Sequence, residues 1–198
     1  VSAGSYDSHD PDVLIVGGGH AGLSIAARLT QLGVDTLIVD KNKRVGDNWR
    51  NRYHALTLHN QVHVNHLPYM PFPPTWPTYV PKDMLALWFE SYAAAMELNF
   101  WTDSEVTSAV YDSGRSRWNV DVRQADGNFR QLAPRHVVMA TGVSGIPNVP
   151  HIETLAKFDG PAVHSSQYRD GEDWSGKNAI VLVCGNSGHD IAQDLHAS

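Results

Sequence analysis

The sequence predicts a three-layer α/β fold, a parallel sheet combined with an antiparallel β-meander, followed by the start of a second unit that opens like the first. Three observations carry this. Residues 13–22, VLIVGGGHAG, join an apolar run to a glycine-rich turn and then to a segment of helical spacing. Three strand-like pieces separated by turn residues occupy positions 106–133, just before another apolar run, HVVMATG at 136–142. Residues 181–190, VLVCGNSGHD, repeat the strand-and-turn opening near the end of the sequence.

A chain of 198 residues can hold one well-packed domain and the beginning of another. We expect a polar tail over residues 1–11, a first domain over 12–175 and the opening of a second over 176–198. Lys and Arg number 15 against 21 Asp and Glu, a net charge of -6, without the basic cluster that would neutralise a phosphate backbone. Nucleic acid is therefore not an expected partner. The single cysteine, Cys184, cannot form an internal disulfide, which fits a reducing compartment. No apolar run approaches the roughly 18 residues of a membrane span, so no membrane association is expected and the polar tail reads as that of a cytoplasmic protein. The sequence opens on Val rather than Met, and trimming at that end is expected.

The elements follow in order. Residues 12–17 form a buried parallel-type strand bounded by glycine. Residues 21–32 carry small and aliphatic side chains at helical spacing and stop at Gly33, a C-terminal cap. Residues 34–40 are the next strand, completing a right-handed βαβ unit. Between 41 and 81 periodicity disappears, and Pro68, Pro71, Pro73, Pro74, Pro77 and Pro81 predict a shaped loop lying over the surface. Residues 83–98 resume helical spacing, with Leu85, Trp88, Phe89, Tyr92 and Met96 on one face that belongs to the core. A short strand at 100–102 precedes the meander, whose strands fall at 106–111, 118–123 and 129–133.

Gly17, Gly19 and Gly22 give G-x-G-x-x-G between a strand and a helix. The first permits a tight turn, the second lets a pyrophosphate approach the backbone, and the third lets helix and strand pack closely. The helix N-terminus then faces the phosphates with its positive end. Asp40 follows Gly22 by 18 positions, at the end of the second strand, where a carboxylate can accept bonds from ribose hydroxyls. The unit is therefore Rossmann-like and binds a dinucleotide. His20, inside the turn, faces solvent or the packing helix.

Phe158, Gly160, His164 and Tyr168 fit F-x-G-x-x-x-H-x-x-x-Y, and residues 46–59, GDNWRNRYHALTLH, and 67–82, LPYMPFPPTWPTYVPK, precede them in order. In these motifs the chain resembles the class B flavin-dependent monooxygenases, in the microbial and YUCCA-like branch, from residue 12 onward. The resemblance implies an FAD-binding first domain and an NADPH-binding second one. FAD would rest on Gly17, Gly19, Gly22, Asp40, Lys41 and Trp49, with Val106 at the adenine and Ala140, Thr141 and Gly142 as backbone neighbours. It also implies oxygenation of a small organic substrate at nitrogen, sulfur or a carbonyl with NADPH and O2, through a C4a-(hydro)peroxyflavin that Asn60 is a candidate to stabilise. His164 would couple the domains rather than act as acid or base. The alternative is a truncated or degenerate flavoprotein that binds FAD without turnover.

In the second turn Gly185 and Gly188 match the second and third glycines, Asn186 and Ser187 lie between them, and all four are expected to hold NADPH. Val183 stands where the first glycine belongs, so either the turn is reshaped or nucleotide binding is weakened. The residue choosing between NADH and NADPH is expected about 20 positions past the turn, beyond Ser198. The resemblance thus implies the N-terminal part of a longer enzyme. His59, His63 and His66 suggest a metal only on a helix, and no cysteine or acid completes the set, so none is expected. One cysteine rules out a redox dithiol within this chain. GNSGHD lacks the G-x-S-x-G nucleophile elbow.

Overall fold

A computed structural model describes residues 9–143, 145–183 and 185–198. Cys184 and residues 1–8 of the tail lie outside the described residues. The elements are β1 (Val13–Val16), α1 (His20–Gln31), β2 (Thr36–Val39), α2 (Asp47–Arg50), α3 (Lys82–Ala95), β3 (Phe100–Trp101), β4 (Glu105–Asp112), β5 (Arg117–Arg123), β6 (Phe129–Leu132), β7 (His136–Met139) and α4 (Asn186–Ala197).

β1 to β3 and β7 form a parallel sheet in the order β3-β2-β1-β7. The register aligns Val16 with Val39 and Met139, which brings three strand ends and the first glycine turn to one edge. That edge is where open α/β sheets bind ligands. β4, β5 and β6 form the antiparallel meander, with a register shift between Val106 and Ser108.

Period-2 alternation builds the three layers. Val13, Ile15 and Ile38 face α1 and α3, packing with Leu23, Ala26, Leu85, Phe89 and Tyr92. Leu14, Leu37 and Val39 face the other way and pack with Trp101 and the meander residues Val120, Val122 and Leu132. Covering both faces is why β1 and β2 read as unbroken apolar runs. Leu85, Phe89 and Tyr92 are fully buried, with Trp88 and Met96 packed against the same cluster, as the helical spacing predicts.

α1 ends in a Schellman motif: Gly33 at φ +73° donates to Thr30 O and Val34 donates to Leu29 O, both at 3.0 Å. α3 ends the same way but earlier than its spacing predicts, with Glu97 in the left-handed position at φ +51° and Leu98 N–H bonded to Ala93 O at 2.9 Å. The proline-rich segment departs from the expected surface loop. Pro71, Pro74 and Pro77 are exposed, but Leu67, Phe72 and Val80 enter the core, and Tyr92 Oη donates to Pro68 O at 2.9 Å. Phe72 stacks on Trp76 at 5.0 Å, and both rings meet Trp88 edge-on.

Residues 178–183, in the apolar run before the second turn, form no strand. A strand needs a neighbour to satisfy its backbone, and none flanks this run among the described residues, which leaves Ile180 and Leu182 exposed. No helix is long and apolar enough to cross a membrane among the described residues.

Candidate functional site

Gly17 closes β1 at φ +108°, with its N–H donating to Val39 O at 2.8 Å. A side chain here would overlap the Ala140 carbonyl, and one at Gly22 would overlap the Gly17 carbonyl, so both positions demand glycine. Ala140 N–H donates to Val16 O at 2.8 Å. The backbone of Ala140, Thr141 and Gly142 thus leaves the sheet beside the turn. α1 has Gly19 as N-cap, with no side-chain cap and no acid in its first turn. α4, after the second turn, is built the same way on Gly185. α2 and α3 instead carry Asp47 and Asp83 in their first turns. An uncapped, acid-free helix end over a glycine cradle has the geometry and polarity that fit a pyrophosphate.

Asp40 ties this turn to the end of β2. Its Oδ2 accepts the Gly18 N–H at 2.6 Å, and its Oδ1 accepts the Asn42 backbone and side-chain N–H groups, each at 2.8 Å. Lys41 is exposed beside it and lines a cavity of about 250 Å³ with Ser104, Glu105 and Arg123. Val106 is half-buried next to that opening, at the irregularity of β4. His20 packs its ring edge-on against Phe89 at 5.7 Å, and burial lowers its pKa. It therefore faces the packing helix as a neutral imidazole.

The Trp49 loop is held by ion pairs the sequence did not announce. Arg50 bonds Val45 O at 2.6 Å, Asp47 Oδ1 at 3.0 Å and Glu90 Oε2 at 2.8 Å, while Arg44 forks onto Glu90 with two bonds of 2.9 Å. The guanidinium of Arg44 lowers the Glu90 pKa. Buried Lys82 donates to Arg50 O at 3.1 Å and Asp83 Oδ1 at 2.8 Å. α2 so anchored on α3 holds Trp49 half-buried and brings the Asn48 amide over Gly19. Asn48 was missed because no periodic or glycine signal marks it.

In the second turn Gly188 N–H donates to Gly185 O at 2.9 Å, and a side chain on Gly188 would overlap the Val183 side chain. The valine side chain fills the space over Gly188. Asn186 and Ser187 form the first positions of α4.

Of the signature residues, Phe158 is exposed with its ring over Gly160. His164 bonds within its own loop, Nδ1 lying 2.9 Å from Ser166 Oγ. Tyr168 reaches α4: it is buried, donates to Asp194 Oδ2 at 2.6 Å and packs with Tyr53, Leu56 and Ile191. Burial raises the Tyr168 pKa, keeping the hydroxyl protonated as a donor. Asn60 is exposed and follows His59, whose Nε2 lies 2.8 Å from Asp190 Oδ2. His66 Nδ1 accepts the Phe72 N–H at 2.9 Å, and His63 is exposed. No group of three potential metal ligands occurs among the described residues.

Residues 14–198 match the family model described as pyridine nucleotide-disulphide oxidoreductase. The chain is 37% identical over 186 residues to indole-3-pyruvate monooxygenase YUCCA1 of Oryza sativa subsp. japonica, covering 93% of this chain and 45% of that protein. It is 36% identical over 186 residues to the probable indole-3-pyruvate monooxygenase YUCCA4 of Arabidopsis thaliana, with 93% and 44% coverage. Its fold is similar to a double mutant of the flavin monooxygenase from Stenotrophomonas maltophilia, at a TM-score of 0.86 and 26% identity, covering 96% of this chain and 55% of that one. The chain thus spans less than half the length of the plant relatives it matches.

Proposed function

The chain belongs to the pyridine nucleotide-disulphide oxidoreductase family, and we propose that it supplies the FAD-binding and first NADPH-binding parts of a monooxygenase that inserts one atom of O2 into a small organic substrate. The observation that carries this reading is the first glycine turn: uncapped α1, forced glycines at positions 17 and 22, and Asp40 bonded across to Gly18 at 2.6 Å. Its relatives are monooxygenases by name, and a single cysteine leaves no dithiol within this chain for disulphide reduction.

In this reading residues 12–175 hold FAD. The Gly17, Gly19 and Gly22 turn and the N–H groups of α1 bind its pyrophosphate, with Asn48 added above Gly19. Asp40 and Lys41 serve the ribose and adenine side near Val106, and Trp49 closes the flavin side with the backbone of Ala140, Thr141 and Gly142. Residues 176–198 begin the NADPH site through Gly185, Asn186, Ser187 and Gly188. Bound flavin supplies the chemistry of accepting hydride and activating O2; the protein orients the partners and keeps water out. Asn60 is the candidate for stabilising oxygen-derived charge. The plant relatives are named for indole-3-pyruvate, a keto acid, which favours a carbonyl-bearing substrate over nitrogen or sulfur.

Val183 supports a second reading, FAD binding without turnover. NADPH oxidation under air by FAD-loaded protein separates the two. Oxidation with O2 uptake supports the monooxygenase, and bound FAD that NADPH leaves oxidised supports the second.

A further inference from the structure

Two carboxylates one helical turn apart face the first domain from α4. Asp190 Oδ2 accepts the Tyr53 hydroxyl at 2.7 Å and lies 2.8 Å from His59 Nε2, while Asp194 Oδ2 accepts only the Tyr168 hydroxyl among the bonds described. Ile191 and Leu195 lie beside them and pack with Tyr53, Leu56 and Tyr168. The Tyr53 pKa is pushed up to about 12, chiefly by burial, which keeps its hydroxyl protonated as the donor to Asp190.

The segment these groups hold is pinned along its length. His54 N–H donates to Arg169 O at 2.8 Å, Leu58 N–H to Val80 O at 2.8 Å, and Lys82 N–H to Leu56 O at 3.0 Å. A braced strip therefore runs from Tyr53 to His59, and Asn60 is the next residue. Asp194 touches no part of that strip through a described hydrogen bond.

The geometry points to Asp190 as a positioning residue that registers the second glycine turn against the loop carrying Asn60. This rests on the FAD- and NADPH-dependent reading. One carboxylate oxygen on α4, a turn past Asn186 and Ser187, gathers Tyr53 and His59, and His59 adjoins the oxygen-side candidate. Moving either element moves the other. Asp194 supplies the control, because it sits one turn along the same helix and bonds Tyr168 without that link.

The test compares Asp190→Ala, Asp190→Asn and Asp194→Ala as FAD-loaded proteins, reading flavin content, anaerobic flavin reduction by NADPH, and H2O2 formed per NADPH under air. Asp190→Ala is expected to keep its flavin, reduce it about tenfold more slowly and release more H2O2. Asp190→Asn should recover part of the rate, and Asp194→Ala should stay within about twofold of the parent. Reduction by Asp190→Ala at the parental rate, or an equal loss in Asp194→Ala, would overturn the proposal. If NADPH fails to reduce the parent, the functional reading falls and hydrogen exchange of residues 53–60 decides the positioning role alone. Faster exchange in Asp190→Ala but not in Asp194→Ala supports it, and unchanged exchange in Asp190→Ala refutes it.

Discussion

The Gly18 amide and the Asp40 carboxylate meet at 2.6 Å, joining the glycine turn after β1 to the end of β2. A charged acceptor on a backbone amide is worth more than a neutral one, about 1.5–3 kcal/mol. Asp40→Asn is therefore expected to weaken FAD binding about tenfold or more and to lower the melting temperature by a few degrees. A flavin titration followed by fluorescence, with a thermal melt in parallel, checks both.

Gly188 and Val183 are coupled by contact, since a methyl at position 188 falls on the valine side chain. Gly188→Ala should destabilise the start of α4, and adding Val183→Gly should restore most of the loss. Val183→Gly alone should tighten NADPH binding by releasing the first turn position. A double-mutant cycle on stability, with NADPH titrations of each protein, is expected to show a coupling of about 1 kcal/mol or more.

Glu97 is exposed and holds the left-handed position that ends α3, at φ +51°. A non-glycine residue there costs about 1–2 kcal/mol, part of which glycine returns through its unfolded-state freedom. Glu97→Gly should raise the unfolding free energy by about 0.5–1 kcal/mol in urea, with an unchanged slope.

His20 is lowered in pKa by burial against Phe89. Its folded pKa lies below its unfolded value of about 6.5, so the contribution is fully present above that pH and is lost as pH falls through the folded value. Between the two values only the unfolded state takes up the proton, and below the folded value the native state must accept a buried charge. His20→Phe should remove this acid-side component, visible as a flatter stability profile between about pH 7 and pH 5 in urea titrations.

The three layers were legible because β1, β2 and the helices carry period-2 and period-3.6 patterns that local physics enforces. The first glycine turn was legible because close approach and positive φ leave glycine no substitute there. Glu97 hid the end of α3, since a left-handed cap without glycine has no compositional mark. Phe72 and Val80 were hidden by the prolines around them, which predict irregular backbone but say nothing of which side chains point inward. Asp190 closes the VLVCGNSGHD stretch, yet its partners Tyr53 and His59 are more than 130 positions away, and no spacing rule connects them. The apolar run ending at Val183 shows the reverse, a strand pattern that pairs with no strand among the described residues.

The proposed function depends on FAD occupying the turn at Gly17, Gly19 and Gly22. The most direct measurement is a titration of purified protein with FAD, followed by flavin absorbance and by protein retained with the flavin after gel filtration. One FAD per chain, reduced on adding NADPH and reoxidised by air, is the expected result. A folded protein that retains no flavin at FAD concentrations saturating for its monooxygenase relatives would contradict the account.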